Sequence, residues 1–509
     1  MRLLLPLLLA GCVVPAGGQT RRPPSVEDTD AAAPVDDDDT GLIAADTVPV
    51  SHRRELRGVW VATVLRLDFP SSTSLTPSAA RSELRGIVQT VADVGGNAIF
   101  FQVRAEGDAL YASTREPWSR FLSGTQGVDP GYDPLAILIE EAHAEAVEVH
   151  AWFNPYRAQV STSSTLHASH YAAQHPTRGP LLDRGSDPPT VRWFNPALRE
   201  VQDHTVAVIR DVVQGYDIDG VHFDDYFYPY ASSGSLNDDA QFTTWQSANP
   251  SSTWTKNDWR RNNVHVLVER VSDAVADLKP WVRFGISPFG IYQPGVPAGI
   301  GPALDAYNQI ACDPLVWMDE GWVDYLAPQL YWSTDSPYPF ELLTQWWADQ
   351  ASGGRFIAPG LAAYKMLPDN NWPASELREQ VAITRATPNA SGQILFRYGQ
   401  LASPTLGLRS AIAEAWSEPA LPPVVHTFAG QDVSPPAVSL EGGEVRIEHT
   451  DASAPLRSFL VYRQEGEGWE LDRVLPFGET ETSLASGTWA ITAVARSGAE
   501  SAGVRVVVP

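Results

Sequence analysis

Eight segments with β-strand character alternate with helical segments between about residues 55 and 418. The helical segment 78–95, for example, carries apolar residues three and four positions apart. Strands that alternate with helices pair in parallel, so the pattern predicts an α/β fold, and eight units predict a (β/α)8 TIM barrel of about 360 residues with insertions. The predicted strands are 55–63, 97–104, 148–154, 217–225, 283–287, 325–331, 356–360 and 392–397.

An open, doubly wound sheet is the alternative that the same alternation allows. No glycine-rich phosphate loop follows the first predicted strand, which argues against a nucleotide-binding fold of that kind. After Pro419 the helical pattern stops, and short alternating runs follow at 445–449, 458–463, 489–495 and 503–508. These runs predict a small all-β sandwich over 421–509, similar to a fibronectin type III module, after a barrel over 53–420.

The N-terminus is typical of a targeting segment, with Arg2, an apolar run from residue 3 to 9, and the sequence Leu9-Ala-Gly-Cys12. This cleavage site resembles the lipobox of bacterial lipoproteins. We therefore expect residues 1–12 to hold a signal peptide and Cys12 to be lipidated, with a plain secretory signal as the alternative. No Asp follows Cys12, which favours export to the periplasm and attachment to the outer membrane.

Residues 13–52 contain four consecutive aspartates at 36–39 and several Pro, Ala and Thr residues, which predicts a disordered acidic tether. The whole chain has 61 acidic against 36 basic residues and a net charge of −25. Because no basic stripe exists, nucleic acid is not an expected partner. Besides Cys12 the chain has one cysteine, Cys312, which we expect to be a buried apolar residue rather than part of a disulfide.

The segment 217–230 reads as an apolar strand that ends in two carboxylates, Asp224 and Asp225, followed by Tyr226 and Tyr228. Carboxylates at the end of a buried strand are costly to desolvate, and chemistry or a ligand is the usual reason for keeping them. Tyrosines beside acids suit a sugar-binding cleft, since they offer flat faces and hydroxyl groups. The alternative interpretation is a helix cap followed by a surface loop.

Polar and aromatic residues cluster at the ends of several predicted strands, where a barrel places its active site. Members of each set are two residues apart, so they share one face of the strand, which we expect to point into the barrel mouth. The sets are Gln102 and Arg104; His150, Trp152 and Asn154; His222 and Asp224; and Gln329 and Tyr331. The tryptophans expected to stack on sugars are Trp60, Trp152 and Trp332, and those expected to line a cleft after Asp225 are Trp245, Trp254 and Trp259.

Glycoside hydrolysis normally uses two carboxylates that flank the bond to be cut. Asp224 shares the parity of His222 and is the predicted nucleophile or base, while the acid stays open among Asp108, Glu106 and Asp225. A mechanism in which the substrate's own N-acetyl group attacks needs fewer protein carboxylates. A zinc site from His150, His222 and Asp224 lacks any short histidine spacing motif, so no metal or cofactor is predicted.

Several longer motifs resemble glycosyl-hydrolase-like family 10, a family of exported bacterial proteins and lipoproteins with a TIM barrel. They are Glu55-Leu-Arg-Gly-Val-Trp-Val61, Phe101-Gln-Val-Arg104, Gly107-Asp-Ala-Leu-Tyr111, His150-Ala-Trp-Phe-Asn-Pro-Tyr-Arg157, Asp219-Gly-Val-His-Phe-Asp-Asp-Tyr-Phe-Tyr-Pro229 and Ala327-Pro-Gln-Leu-Tyr-Trp332. The resemblance implies catalysis by Asp224 and Asp225, and a cleft lined by Arg57, Gln102, Arg104, Asp108, Asn154, Arg157 and Gln329. One departure is Ala105, where the family pattern has a proline.

The resemblance also implies hydrolysis of peptidoglycan glycan strands, notably strands stripped of their peptides. We therefore expect a glycoside hydrolase, anchored to a membrane through Cys12, with a polysaccharide as its partner. Two alternatives stay open at this point: a glycan-binding lipoprotein without activity, and a hydrolase of another exported polysaccharide.

Overall fold

The computed structural model describes residues 46–176, 181–182, 191–230, 236–441, 443–449 and 454–509. These residues belong to one compact unit, Leu42–Pro509. The predicted signal peptide, the lipidation site Cys12 and most of the predicted tether lie outside the described residues. No helix in the described part of the chain is both long and apolar enough to span a bilayer.

The described strands and helices follow in chain order. The strands are β1 Thr47–Val48, β2 Arg53–Arg54, β3 Leu56–Val61, β4 Ala98–Arg104, β5 Glu148–Phe153, β6 Arg157–Gln159, β7 Leu181–Leu182, β8 Arg192–Phe194, β9 Gly220–Phe223, β10 Arg283–Ile286, β11 Tyr325–Leu326, β12 Phe356–Ile357, β13 Gly360–Leu361, β14 Gly392–Leu395, β15 Ala420–Leu421, β16 Ala437–Glu441, β17 Glu444–Glu448, β18 Leu456–Glu465, β19 Gly468–Pro476, β20 Glu481–Ser483, β21 Gly487–Ala495 and β22 Gly503–Val508. The helices are α1 Pro77–Asp93, α2 Arg120–Ser123, α3 Pro134–His143, α4 Tyr171–Gln174, α5 Arg199–Gly215, α6 Asp239–Ala248, α7 Lys256–Leu278, α8 Ala306–Gln309, α9 Pro314–Asp319, α10 Phe340–Ala348, α11 Ala374–Ala386, α12 Tyr398–Leu401 and α13 Leu408–Ala415.

The fold is mixed α/β, and its largest sheet has the strand order β12-β11-β10-β9-β5-β4-β3-β14-β13 with parallel pairing throughout. The two ends of this order, β12 and β13, are successive pieces of one predicted strand. A parallel bridge between Gln329 and Gly360 also links the end of β11 to β13. The sheet therefore closes on itself, as in a TIM-barrel-like fold. Each of the eight predicted strands contributes to this sheet.

Alternation along the strands sorts their side chains into two cores. Val59, Val61, Ile99 and Phe101 belong to the larger core, which also contains the apolar faces of the surrounding helices. Trp60 and Phe100, with their neighbours on the other face, form a separate cluster together with Tyr325, Phe356 and Ile394. The second cluster fills the inside of the sheet.

Two inward-facing positions carry glycine because a ring occupies the space of a side chain. A Cβ on Gly220 would lie 2.2 Å from the His150 ring, and a Cβ on Gly285 would lie 2.0 Å from the Tyr325 ring. These distances leave no room for any other residue. The interior is therefore packed by pairing glycines with large rings on neighbouring strands, a small-and-large alternation that suits a filled interior.

The C-terminal part is all-β, as predicted. A five-stranded sheet, β1-β22-β21-β18-β19, packs on a three-stranded sheet, β16-β17-β20, and the residues between them form a second apolar core. The strand β1 comes from the predicted tether, so ordered structure begins before the predicted boundary at 52. His52 also bonds the Tyr462 hydroxyl at 2.6 Å, which ties this N-terminal segment to the C-terminal sheets.

A cluster of buried charges joins the amino ends of the parallel strands to the C-terminal sheets. Arg457, on β18, pairs with both Glu148 and Asp219, and Arg283 donates to both oxygens of Glu148 at 2.9 Å. Burial by itself would raise the pKa of Glu148, but the charges of Arg283 and Arg457 hold that pKa well below its usual range. The pKa of Asp219 is lowered too, because Arg457 and His143 outweigh its burial.

Replacing Arg457 with Ala leaves Glu148 and Asp219 partly uncompensated in a buried site. We expect the free energy of unfolding to fall by about 3–5 kcal/mol, the usual cost of breaking one side of a buried ion pair. Both carboxylates have lowered pKa values in the folded protein, so this loss should shrink as the pH falls below about 4. Denaturant unfolding at several pH values measures both effects.

Arg505→Ala is the matched control, since Arg505 pairs with Asp46 at 3.4 Å on the exposed surface. Loss of this ion pair should lower the free energy of unfolding by less than about 1 kcal/mol. Equal destabilisation by the two substitutions would contradict the stabilising role assigned to the buried cluster.

Candidate active site

A cavity of about 280 Å³ lies at the carboxyl ends of the parallel strands. This end of the sheet is the one where barrels of this type collect functional side chains. The lining residues are Trp60, Ala62, Val64, Leu67, Gln102, Trp152, Arg157, Asp224, Tyr226, Ser287, Gln329, Tyr331, Tyr364 and Phe396. Of the described residues that line it, Asp224 is the one with a carboxylate.

Asp224 directly follows β9 and is 5% exposed. Its Oδ2 atom accepts hydrogen bonds from the Trp152 indole at 3.0 Å and from the Asn154 amide. Among the described residues, its Oδ1 atom accepts only a long bond, 3.3 Å, from the Tyr226 backbone. Burial raises the pKa of Asp224 to about 7; the charge of Arg157 opposes this rise and that of Asp225 adds to it. The group can therefore carry a proton near neutral pH, and Oδ1 is the oxygen available to hold it.

Asn154 holds Asp224 in place because it is itself fixed by two donors. Its side-chain oxygen accepts from Gln102 at 2.6 Å and from Arg157 at 2.7 Å. These two bonds force the amide nitrogen of Asn154 to face Asp224, where it donates. Arg157 in turn bonds the Ala105 carbonyl at 2.8 Å and lies over the Tyr226 ring at 5.0 Å. The carboxylate thus sits in a preorganised polar wall.

Asp225 is buried beside the cavity and accepts hydrogen bonds from the Tyr230 hydroxyl and the Gln329 side chain. Burial raises its pKa to about 6, although both hydrogen bonds favour the charged form. The side chain makes contacts within the strand ends and does not cap the next helix, which was the other interpretation. Because Gln329 lines the cavity, it connects Asp225 to the space where a ligand would lie.

An aromatic wall adds Trp60, Tyr331, Tyr364 and Phe396 to this polar one. The Phe396 ring lies 5.9 Å from both Trp60 and Tyr331, and Tyr364 lies 5.6 Å from Tyr331. The ring centroids are at the separations that favour edge and offset contacts. The cavity therefore offers apolar ring surfaces as well as hydrogen-bonding groups.

Two arginines expected in the cleft lie elsewhere. Arg57 has the outward parity of Val59, and its guanidinium bonds Glu55 and the carbonyls of Trp416 and Glu418 at the amino end of the sheet. Arg104 shares the parity of Gln102, but a β-bulge between the two changes the register, so Arg104 pairs with Phe153 of β5. There it forms a buried ion pair with Glu116.

Both predicted histidines belong to the inside of the sheet and do not line the cavity. His150 contacts Glu148 and the Tyr325 hydroxyl, and His222 contacts that same hydroxyl at 3.0 Å. Burial lowers the pKa of His222 well below its usual range, which keeps the ring neutral. Within the described residues no three His, Cys, Asp or Glu side chains are grouped to hold a metal ion, so the alternative zinc set does not assemble.

Three further candidates also do not line the cavity. Asp108 is buried and accepts a bond from the Glu106 backbone at 3.1 Å; its burial and the charge of Glu106 raise its pKa to about 7. Tyr228 is buried and accepts a bond from Asn263. Trp332 packs on Phe289. Cys312 is buried and free, as expected.

The cavity thus brings together eight of the predicted residues: Trp60, Gln102, Trp152, Arg157, Asp224, Tyr226, Gln329 and Tyr331. Sequence reasoning missed Tyr230, Tyr364 and Phe396. Phe396 had a usable signal, because it continues the inward parity of Ile394 on the last predicted strand. Tyr364 lies on a short 3-10 helix after β13, and no strand pattern could have placed it.

Asp224→Asn removes an acid whose pKa is raised in the folded protein, so its effect on stability should depend on pH. In the wild type, the unfolded chain ionises near pH 3.8 and the folded protein near pH 7, so the wild type loses stability across that range. Between pH 4 and pH 7, the free energy of unfolding of the variant should therefore increase relative to that of the wild type, by at most about 4 kcal/mol. Denaturant unfolding across this range is the measurement. The exposed Asp277→Asn serves as control and should show no such trend.

Comparison with known proteins assigns the chain to a family. The model of the family "Glycosyl hydrolase-like 10" matches residues 55–374. Glycosyl hydrolase YngK of Bacillus subtilis (strain 168) is 36% identical over 73% of this chain and 73% of its own length. Glycosyl hydrolase DigH of Escherichia coli (strain K12) is 36% identical over 69% of this chain and 84% of its own length.

Among solved structures, the PgaB (BpsB) glycoside hydrolase domain from Bordetella bronchiseptica matches 72% of this chain and 99% of that domain. Its sequence is 13% identical and the overlap is loose, with a TM-score of 0.48. The family match covers the cavity-lining residues from Trp60 to Tyr364. The chain therefore belongs to the glycosyl hydrolase-like 10 family and is an enzyme of the glycoside hydrolase class.

Proposed function

We propose that this enzyme cleaves glycosidic bonds in a polysaccharide of the cell envelope, with peptidoglycan glycan strands as the leading substrate. The observation that carries the proposal is a buried carboxyl group, Asp224, in a cavity that also has an aromatic wall. A sugar ring has hydroxyl groups at its edge and C–H groups on its faces. The polar side chains can form hydrogen bonds with the hydroxyl groups, and the rings of Tyr331 and Phe396 can stack on the C–H faces.

The two aspartates would have different roles because Asp224 lines the cavity whereas Asp225 lies beside it. The sequence predicted Asp224 as the nucleophile or base, but its raised pKa of about 7 favours the role of acid instead. In this role Asp224 donates a proton from Oδ1 to the leaving oxygen as the glycosidic bond breaks. Asp225, with a pKa of about 6, is the group ionised first, and it supports the developing positive charge or the attacking group through Gln329, which lines the cavity. The attacking group is water or the N-acetyl oxygen of the substrate, and water finally adds to the sugar. Trp152 and Asn154 hold Asp224 throughout.

The cell-envelope location rests on the predicted lipobox at Cys12 and the acidic segment that follows it. A lipid-anchored enzyme on a tether would reach wall glycans from the membrane, and the outer membrane facing the periplasm is the proposed site. The peptide-free form of the substrate follows from the family resemblance. We also propose that the C-terminal sheets form a fibronectin type III-like sandwich, supported by two packed antiparallel sheets of five and three strands.

Asp224→Asn should reduce turnover of peptide-free glycan strands by at least about a thousandfold, because it removes the proton donor but keeps the shape. Mass spectrometry of the products from the full chain is the measurement. Asp108→Asn is the control, since Asp108 is equally buried but lies outside the cavity, and it should keep most of the activity. If the wild type binds the glycan strands but does not cut them, the proposed hydrolysis is wrong and the protein binds glycans without cleaving them.

The pH dependence of kcat/KM should be bell-shaped with its maximum between about pH 6 and about pH 7. Activity should fall below this range as Asp225 gains a proton, and fall above it as Asp224 loses one. Initial rates on glycan strands from pH 4 to 9 test this. A rate that keeps rising above pH 8 would contradict the role of Asp224 as the acid.

A further inference from the structure

A stack of aromatic rings stands on the surface between β9 and α7. The buried Trp259 contacts Phe242 at 5.3 Å, Phe242 lies nearly parallel to Trp245 at 5.9 Å, and Trp245 lies nearly parallel to Trp254 at 5.4 Å. Trp259 is 3% exposed, Phe242 and Trp245 are half-buried, and Trp254 is 43% exposed. None of these residues lines the cavity, contrary to the expectation that the three tryptophans share one cleft.

The stack lies at the same end of the sheet as the cavity, the end where the strands have their carboxyl termini. The chain leaves β9 at its carboxyl end, where Asp224 lies, and Trp254 stands two residues before α7 begins its return along the sheet. The first turns of α7 are fixed to the residues that follow the acids. Arg260 lies 5.7 Å from the Tyr228 ring centroid, and Asn263 donates to the Tyr228 hydroxyl.

Fixing α6 to α7 does not require an exposed Trp254. Arg260 donates two bonds of 2.7 Å to Asp238, directly before α6, and Lys256 pairs with Asp238 at 2.7 Å. Phe242 packs on the buried Trp259 and completes the attachment. Trp254 adds an indole to the outer end of the stack and leaves much of it in water, which is an unusual place for a large apolar ring.

The chemistry of this surface suits a sugar. An indole held rigidly by a parallel neighbour offers a flat apolar face, on which the C–H face of a pyranose can stack. A cavity of about 280 Å³ is at the small end for binding sites, so a long polymer would extend beyond it onto the surrounding surface.

We propose that Trp254, supported by Trp245, is a second glycan-binding site that holds the substrate polymer at a distance from the catalytic cavity. This inference rests on the proposed function, since the ligand is the same polysaccharide. Its sugar units would stack on the outer face of Trp254 while another part of the chain occupies the cavity. The site would lower KM for long chains and leave the cleavage of short ones unchanged.

The test compares Trp254→Ala with the wild type on long peptide-free glycan strands and on short oligosaccharides cut from them. KM for the long strands should rise about threefold to tenfold, with kcat/KM for the short ones unchanged. Trp254→Phe should restore most of the loss. Phe477→Ala removes another exposed aromatic ring, in the C-terminal part, and should change neither KM for the long strands nor kcat/KM for the short oligosaccharides.

An unchanged KM for long strands would overturn the proposal, and so would an equal loss on long and short substrates. Co-sedimentation of the full chain with the same glycan strands separates failure of this proposal from failure of the proposed function. If the wild type binds without cleaving, and Trp254→Ala weakens that binding, the proposed hydrolysis fails and the second site stands. If the wild type neither cleaves nor binds the strands, both proposals fail.

Discussion

The alternation of side chains along a parallel strand decides what each residue of this protein can do. In β3, Val59 faces the helices whereas Trp60 faces the interior, and the same rule holds around the sheet. Because parallel strands end on the same side, the inward positions beyond their carboxyl ends meet in one cavity. Asp224 reaches that cavity because it continues the inward series of Gly220 and His222.

Buried acids at the two ends of the sheet have pKa values shifted in opposite directions. At the amino ends, Glu148 and Asp219 are paired with arginines, which outweigh the cost of burial and lower their pKa values. At the carboxyl ends, Asp224 and Asp225 receive hydrogen bonds but no direct ion pair among the contacts of the described residues, and burial raises their pKa values. Pairing stabilises the fold at the amino ends, whereas unpaired carboxyl groups at the other end keep a proton available for chemistry.

Parity predicted which side chains face the interior wherever the strands are regular. It grouped Gln102 with Trp152 and Asp224, and all three line the cavity. It failed for Arg104, because a single bulge in β4 turns that residue to the other side, and a bulge leaves no clear trace in a sequence. Parity also does not give height along the strand, so His150, although inward, lies beneath the cavity rather than in it.

The sequence by itself determined the order of strands and helices, the change to an all-β C-terminal part, and the placing of two acids at the end of one strand. These follow from local patterns of apolar residues, glycines and prolines, which act over a few positions. Only the tertiary structure decided which polar groups come close enough to act on Asp224, and that Tyr364 and Phe396 complete the aromatic wall. It also showed that Trp254 stands outside that cavity. Such contacts join residues far apart in the chain, so their distances, burial and pKa values exist only once the sheet has formed.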